Sequence, residues 1–424
     1  MTKIKILFLA PLLLLSIFSK SQTLSRGSLV IVGGGLEHTN KSVYNQLIAL
    51  AGGIEKATFA VIPSASGVSV QSYMSFRNIL ISYGVKPENI HLISIAMVDD
   101  DSTVNVNESD WRDNGNDLQL AAIVRSCSAV WFSGGDQSRT MKTLLRADGS
   151  QTPVLEAVWD VYRSGGVIGG TSAGAAIMSE VMIGGGTSLS ALSHGVVTGY
   201  TGDDFPESLG VWVTKGLGFF PHGLVDQHFN ARARIGRLAM TLMNDKKRGT
   251  MGFGVDENTA VIYDGNQDKL YVAGVAGVTI LNTSDARISY AQNLPNIENL
   301  RLSYLEEGDT CDFTNGIITP AKGKRSTKGK ERYNDRYSGQ EGILSANVAT
   351  FRDLITIHLT DNKATDTIRN ITFFNPDSGF QVSLYKTPES EGFCPEKPNR
   401  GDHYTVTDIR MDITSVHFSV IPVK

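Results

Sequence analysis

The sequence predicts an α/β protein: a mostly parallel sheet with helices on both faces, followed by a C-terminal α+β region. Three observations carry this. Between residues 28 and 180, short apolar runs alternate with amphipathic stretches. The runs are almost continuously apolar, as strands buried on both faces must be. Four of them lead into the Gly- or Ser-rich loops GGGLE, PSASG, SGGDQ and GTSAGA, and ligands of parallel sheets bind outside the carboxyl ends of the strands.

In chain order, the expected strands are SLVIVGGG (28–35), ATFAVIP (57–63), IHLISI (90–95), SAVWFSGG (128–135) and GVIGGTS (166–172). Each is short, most are rich in β-branched residues, and Gly, Pro or Ser bounds them. Helices are expected near 41–52, 70–83, 116–126, 137–146 and 153–164. The last has a Thr152 cap, Pro153 at its first position, an apolar stripe of Val154, Leu155, Val158 and Val161, and a Gly stop. Segment 181–220 is rich in Gly, Ser and Thr and yields no element. A helix is expected from near His228, in HFNARARIGRLAMTLMN. Four strand-like runs, MGFGVD, TAVIYD, KLYVAG and GVTILN, then close this unit by about residue 293.

Three segments follow from this pattern. Residues 1–22 read as a signal peptide: Lys3 and Lys5 flank the start of ILFLAPLLLLSIF, and SKSQ offers an exit near Ser21 or Gln22. That apolar run, about 13 residues, is too short to span a bilayer comfortably. No later run is long and apolar enough to span, so stable membrane insertion is not expected. The chain is expected to be exported, to the periplasm or beyond. Residues 23–295 form the main unit, and 296–424 an appended region. Within the latter, KGKRSTKGKERYNDRY (322–337) reads as an exposed basic linker, and LSANVATFRDLITIHL as helical.

The 424 residues carry a net charge of −4, with a pI near 6.1, which gives no basis for nucleic-acid binding. Cys127, Cys311 and Cys394 are too scattered to make a zinc site, and no His spacing suggests another metal. No cofactor is implied. Cys311 and Cys394 could pair in an oxidising compartment.

Chemistry concentrates in a few places. Gly170-Thr171-Ser172-Ala173-Gly174 is a G-x-S-x-G sequence at a strand-to-helix turn, where small neighbours let a serine hydroxyl stand clear of the sheet. A serine nucleophile needs a base. His228, in DQHFNARARIGRL, lies among Asp226, Gln227, Arg232, Arg234 and Arg237; His222, in FFPHG, is the rival. Arg234 and Arg237 are spaced to share a helix face. The orienting acid is Glu257, in GFGVDENTA, or its neighbour Asp256. The chain order Ser, His, Glu differs from the α/β-hydrolase order of nucleophile, acid, histidine. The Ala173 amide and that of Gly135, in SGGDQ, are the candidate oxyanion donors, with Gln137 bordering the same pocket. Gly33–Gly35 lacks the spacing of a phosphate loop and is set aside, as is Gly184–Gly186.

Taken in order, LVIVGGGLE, FSGGDQSR, GGTSAGAAIM, DQHFNARARIGRL and GFGVDENTA resemble the cyanophycinases, serine peptidases related to dipeptidase E with a glutamine-amidotransferase-like sheet. The resemblance covers about residues 28–293. It implies Ser172 as nucleophile, His228 as base and Glu257 as acid. It places Gln137, Asp226, Gln227, Arg232, Arg234 and Arg237 around the substrate, and it implies a homodimer. The family's substrate, cyanophycin, is a poly-aspartate backbone with arginine on each β-carboxyl, cleaved to β-aspartyl-arginine. Guanidinium groups suit the free carboxylate of each arginine branch, and Asp226 is expected to answer the branch guanidinium. Short aspartyl or isoaspartyl peptides are the alternative substrates. A binding protein on the same scaffold is the alternative from another class.

Overall fold

A computed structural model describes residues 26–202, 204–246, 249–337, 343–344, 351–396 and 403–418. The expected signal peptide lies outside them. No helix among the described residues is long and apolar enough to cross a membrane.

The expected α/β layer is present. Ser28–Val32, Val167–Thr171, Ala129–Phe132, Phe59–Ile62 and Ile90–Leu92 pair in parallel, in that spatial order. Helices Lys41–Leu50, Ser69–Ser82, Leu118–Ser126, Gln137–Leu144 and Pro153–Arg163 lie close to where the sequence places them. The last packs Val154, Leu155, Val158 and Val161 into the core while the Thr152 hydroxyl caps Leu155 N–H. Thr259–Asp264 adds to Ser28–Val32 antiparallel, and Lys269–Gly274, Thr310–Asp312 and Ile317–Thr319 extend that edge to nine strands.

A second sheet of ten strands packs beside the first. It includes Leu224–Asp226, Met251–Val255, Gly277–Asn282, and the long strands Leu294–Glu306 and Thr405–His417. The expected boundary at 295/296 therefore falls inside a strand. Residues beyond it pair into both sheets, because each sheet has an edge that these strands satisfy. The segment 181–220 forms a small sheet of Val181–Gly185, Val211–Lys215 and Val196–Thr198.

Three further expectations change. The basic run 322–337 is not simply a solvated connector: Lys324–Ser326 is a strand paired with Glu391–Pro395. Lys324 Nζ is buried on Asp309 at 2.7 Å. Burial of the ion pair, with the Thr405 hydroxyl also at 2.9 Å from the ammonium, explains a lysine inside. Cys311 is a free buried thiol in the first sheet, while Cys394 lies in the second, so no bridge joins them. The helix expected from His228 begins only at Ile235. His228 and Ala233 have φ of 46° and 49°, a left-handed backbone that a helix cannot contain.

Candidate active site

Ser172 follows the central strand Val167–Thr171 and precedes the short helix Ala173–Ala176. Its backbone, φ 54° and ψ −111°, is sparsely populated for any residue with a Cβ. The flanking glycines make the sharp turn sterically open. A Cβ on Gly170 would meet Gly174 O at 2.5 Å, and one on Gly174 would meet Phe132 O at 2.4 Å. The hydroxyl therefore stands above the carboxyl end of the sheet.

The other two expected members arrive from the second sheet. His228 sits two residues past Leu224–Asp226, and Glu257 two past Met251–Val255. Ser172 Oγ is 2.8 Å from His228 Nε2, and His228 Nδ1 is 2.6 Å from Glu257 Oε1. The rivals are elsewhere. His222 stacks on Phe313 and bonds Asp268 at 2.5 Å. Asp256 faces inward and takes hydrogen bonds from Asn230 N–H and the Tyr304 hydroxyl, at 2.9 and 3.1 Å. Burial pushes its carboxyl up to about 7.

Burial also holds the His228 imidazole below its ordinary value, opposed by the Glu257 hydrogen bond and reinforced by the charges of Arg232 and Arg234. A neutral imidazole can accept a proton, so the base form persists into mild acid. As a prediction, kcat/KM rises with pH through a midpoint below about 6.5 and is flat above it. Arg232→Gln moves that midpoint upward. A pH–rate profile of both chains checks the sign.

Sequence reasoning missed the bed on which the imidazole lies. Gly33 O accepts His228 N–H at 2.6 Å, and Gly34 O accepts Asn258 N–H at 2.8 Å. Gly34 has φ 108°, and a Cβ there would stand 2.2 Å from His228 Cε1. The signal is the run of three consecutive glycines after the strand, of which Gly34 is the middle one. Gly34→Ala is expected to displace the ring and lower kcat by about 10²-fold, measured alongside circular dichroism to show a folded chain.

The amides of Ala173 and Gly135 donate to no acceptor among the described residues. Gly135 has φ 138° and abuts Ala65 O, which any Cβ would strike at 2.0 Å. Ser172 opens on one side into a polar cleft of about 650 Å³ that reaches Gln137, Arg139, Gln227, Arg232 and Arg234. Asp204 and Glu207 stand on the same wall system. On its other side an apolar cleft of about 430 Å³ runs past Leu36, Val68, Phe76 and Trp131. Gln137 is tied by Nε2 to Ile183 O and Gly184 O, both at 2.9 Å. This makes the set-aside Gly184–Gly186 segment part of the cleft.

The arginines divide. Arg232 is exposed in the cleft, whereas Arg237 is buried in a two-pronged bond to Asp226, at 2.9 and 2.5 Å, and also reaches Gly186 O. Asp226, 1% exposed, is thus committed to Arg237. The expectation that it meets a substrate guanidinium is corrected: desolvated carboxylate and guanidinium satisfy each other. Arg234, at the cap of helix Ile235–Asn244 rather than on its face, donates to Gln227 O at 2.6 Å.

A profile of peptidase family S51 matches residues 29–271. The chain is 30% identical over 292 residues to a cyanophycinase of Geminocystis herdmanii, covering 67% of this chain and 93% of that protein. It is 32% identical over 311 residues to one of Synechococcus elongatus, covering 70% and 84%. Among solved structures, a peptidase from an acI-B1 actinobacterium aligns with 21% identity and a TM-score of 0.46, over 68% of this chain and 98% of that one. With over half its length matched by the profile, the chain belongs to peptidase family S51, the cyanophycinase family of serine peptidases.

Proposed function

We propose that this chain is an exported peptidase that cleaves cyanophycin or related β-aspartyl peptides through Ser172, His228 and Glu257. The observation that carries the reading is the unbroken Ser172–His228–Glu257 hydrogen-bond chain at the junction of the two clefts. Ser172 Oγ attacks the scissile carbonyl while His228 Nε2 takes its proton. Glu257 holds the other ring nitrogen and stabilises the imidazolium. The amides of Ala173 and Gly135 receive the oxyanion. His228 then protonates the leaving amine, and a water, deprotonated by the same imidazole, releases the acyl group from Ser172.

The polar cleft suits a branch that is both anionic and cationic. Arg232 and Arg234 offer guanidinium groups to an arginine α-carboxylate. Asp204 and Glu207, on the same cleft, take over the part first given to Asp226 and answer the branch guanidinium. A homodimer is part of the same reading, carried by the family likeness.

Mass spectrometry of cyanophycin incubated with the full chain tests this, with α- and β-aspartyl dipeptides as parallel substrates. β-Aspartyl-arginine appearing with wild type and not with Ser172→Ala supports it. Cleavage of dipeptides alone makes the enzyme a short-peptide hydrolase. A folded chain that cleaves nothing and takes no serine-directed phosphonate on Ser172 is a binding protein.

A further inference from the structure

Ser172 lies between two clefts of opposite character, and the groups around it assign them to opposite sides of the scissile bond. Gly135, which carries one of the two free amides, lines the polar cleft. His228 lines the apolar cleft and forms no part of the polar wall. After attack, His228 Nε2 hands the proton it took from Ser172 to the departing nitrogen. The leaving amine therefore projects on the His228 side, over the apolar cleft, while the acyl residue and its branch stay among the arginines.

The floor of the apolar cleft is Phe76 stacked on Trp131, with ring centroids 4.4 Å apart and planes within 8°. Helix Ser69–Ser82 turns one face toward it, since Ser72, Ser75, Phe76 and Ile79 recur at helical spacing. Val68, just before that helix, keeps 40% of its surface in water. Leu36, just past the glycine run, is half-buried beside it. No carboxylate, ammonium or guanidinium lines this cleft among the described residues. Its volume of about 430 Å³ is in the range of pockets that enclose small ligands.

We propose that this cleft is the leaving-side subsite and that it takes an aromatic or branched aliphatic side chain. The preferred substrate is then an aspartyl peptide whose next residue is hydrophobic. This rests on the peptidase reading and narrows its substrate. Cyanophycin presents a second arginine-bearing aspartate at that position. Its branch carboxylate and guanidinium would enter the cleft with no opposite charge to meet, at a cost in desolvation. A Phe or Leu side chain instead leaves water for an apolar floor. The bonds made and broken are the same for either: the Ser172 Oγ–acyl bond forms and the peptide C–N bond breaks. The serine proton departs on the amine, and water later releases the acyl group. The cleft sets only which residue departs fastest.

The test is steady-state kinetics of the full chain on peptides that share an aspartyl residue with arginine on its β-carboxyl. They differ only in the next residue: Phe, Leu, Asp, or a second arginine-bearing aspartate. kcat/KM is expected to be about 30-fold higher for Phe and Leu than for either aspartate. Val68→Asp puts a carboxylate in the cleft at the start of a helix, where its charge suits the dipole. It is expected to cut the Phe-to-Asp ratio by about tenfold. Ser75→Asp, at an exposed position on the same helix face, is the second variant should the first not fold. Equal or better cleavage of the aspartate peptides by wild type overturns the subsite and leaves the peptidase reading standing. So does a Phe preference undiminished in every folded variant. A folded chain that cleaves none of these peptides, nor cyanophycin, overturns the peptidase reading and the subsite with it.

Discussion

Ser172→Ala lowers kcat by about 10⁶-fold and leaves KM near its wild-type value. The substitution removes one oxygen whose single side-chain partner is His228 Nε2, so the cleft keeps its shape and its arginines. What disappears is the covalent route, while binding and the two free amides remain. Steady-state kinetics on a β-aspartyl peptide measures both parameters; a loss of less than 100-fold would move the nucleophile elsewhere. The left-handed φ of 54° gives a second readout. Ser172→Gly is equally inactive but loses the backbone strain, which costs on the order of 1–3 kcal/mol. Glycine's greater unfolded-state freedom offsets part of that gain. A Tm at or above wild type is expected for Ser172→Gly, and a clear fall would show that the turn is unstrained.

Glu257→Gln lowers kcat by about 10⁴-fold, while Asp256→Asn stays within about 10-fold of wild type. The glutamine can present its amide N–H to His228 Nδ1, which fixes the wrong tautomer and leaves Nε2 protonated against the serine. The imidazolium formed on attack also loses its anionic partner. Because the Glu257 carboxylate raises the His228 pKa, its removal moves the acid limb of kcat/KM to lower pH even as the plateau falls. Asp256 differs by environment. Its carboxyl is already pushed up to about 7, so a neutral amide is a fair copy of its half-protonated state. The Tyr304 hydroxyl can turn to accept where it now donates. Equal losses for the two variants would reverse the assignment of acid and clamp.

The parallel sheet and its helices were legible because each strand is a short apolar run with its own stop signal, and 153–163 even displays its cap. Ser172 was legible for the same local reason: the glycines that permit the turn lie two residues to either side. His228 was found by its crowd of charged neighbours, but its backbone was not. HFNARARIGRL has helical periodicity, and nothing local reveals that His228 and Ala233 adopt positive φ. At His228 the backbone N–H is held by Gly33 O, nearly two hundred residues upstream. The purpose of Gly34 was invisible because the atom it makes room for is an imidazole carbon from another sheet. Lys324 looked solvated in a basic run, since its partner Asp309 lies in a turn 15 residues upstream and the Thr405 hydroxyl comes from a strand 81 residues downstream. The pairing of 294–306 with 405–417 is likewise a contact between segments a hundred residues apart, beyond the reach of periodicity.

Ser172 stands on one sheet and His228 on the other, and the turn bearing Glu257 crosses from strand Met251–Val255 to strand Thr259–Asp264, between the two. Proton transfer is therefore sensitive to any sliding or parting of these slabs, over displacements too small to melt either one. Turnover becomes a ruler laid across the joint. Whatever tightens or loosens that joint, from a distant strand edge to a crowded solvent, registers first as a change in rate.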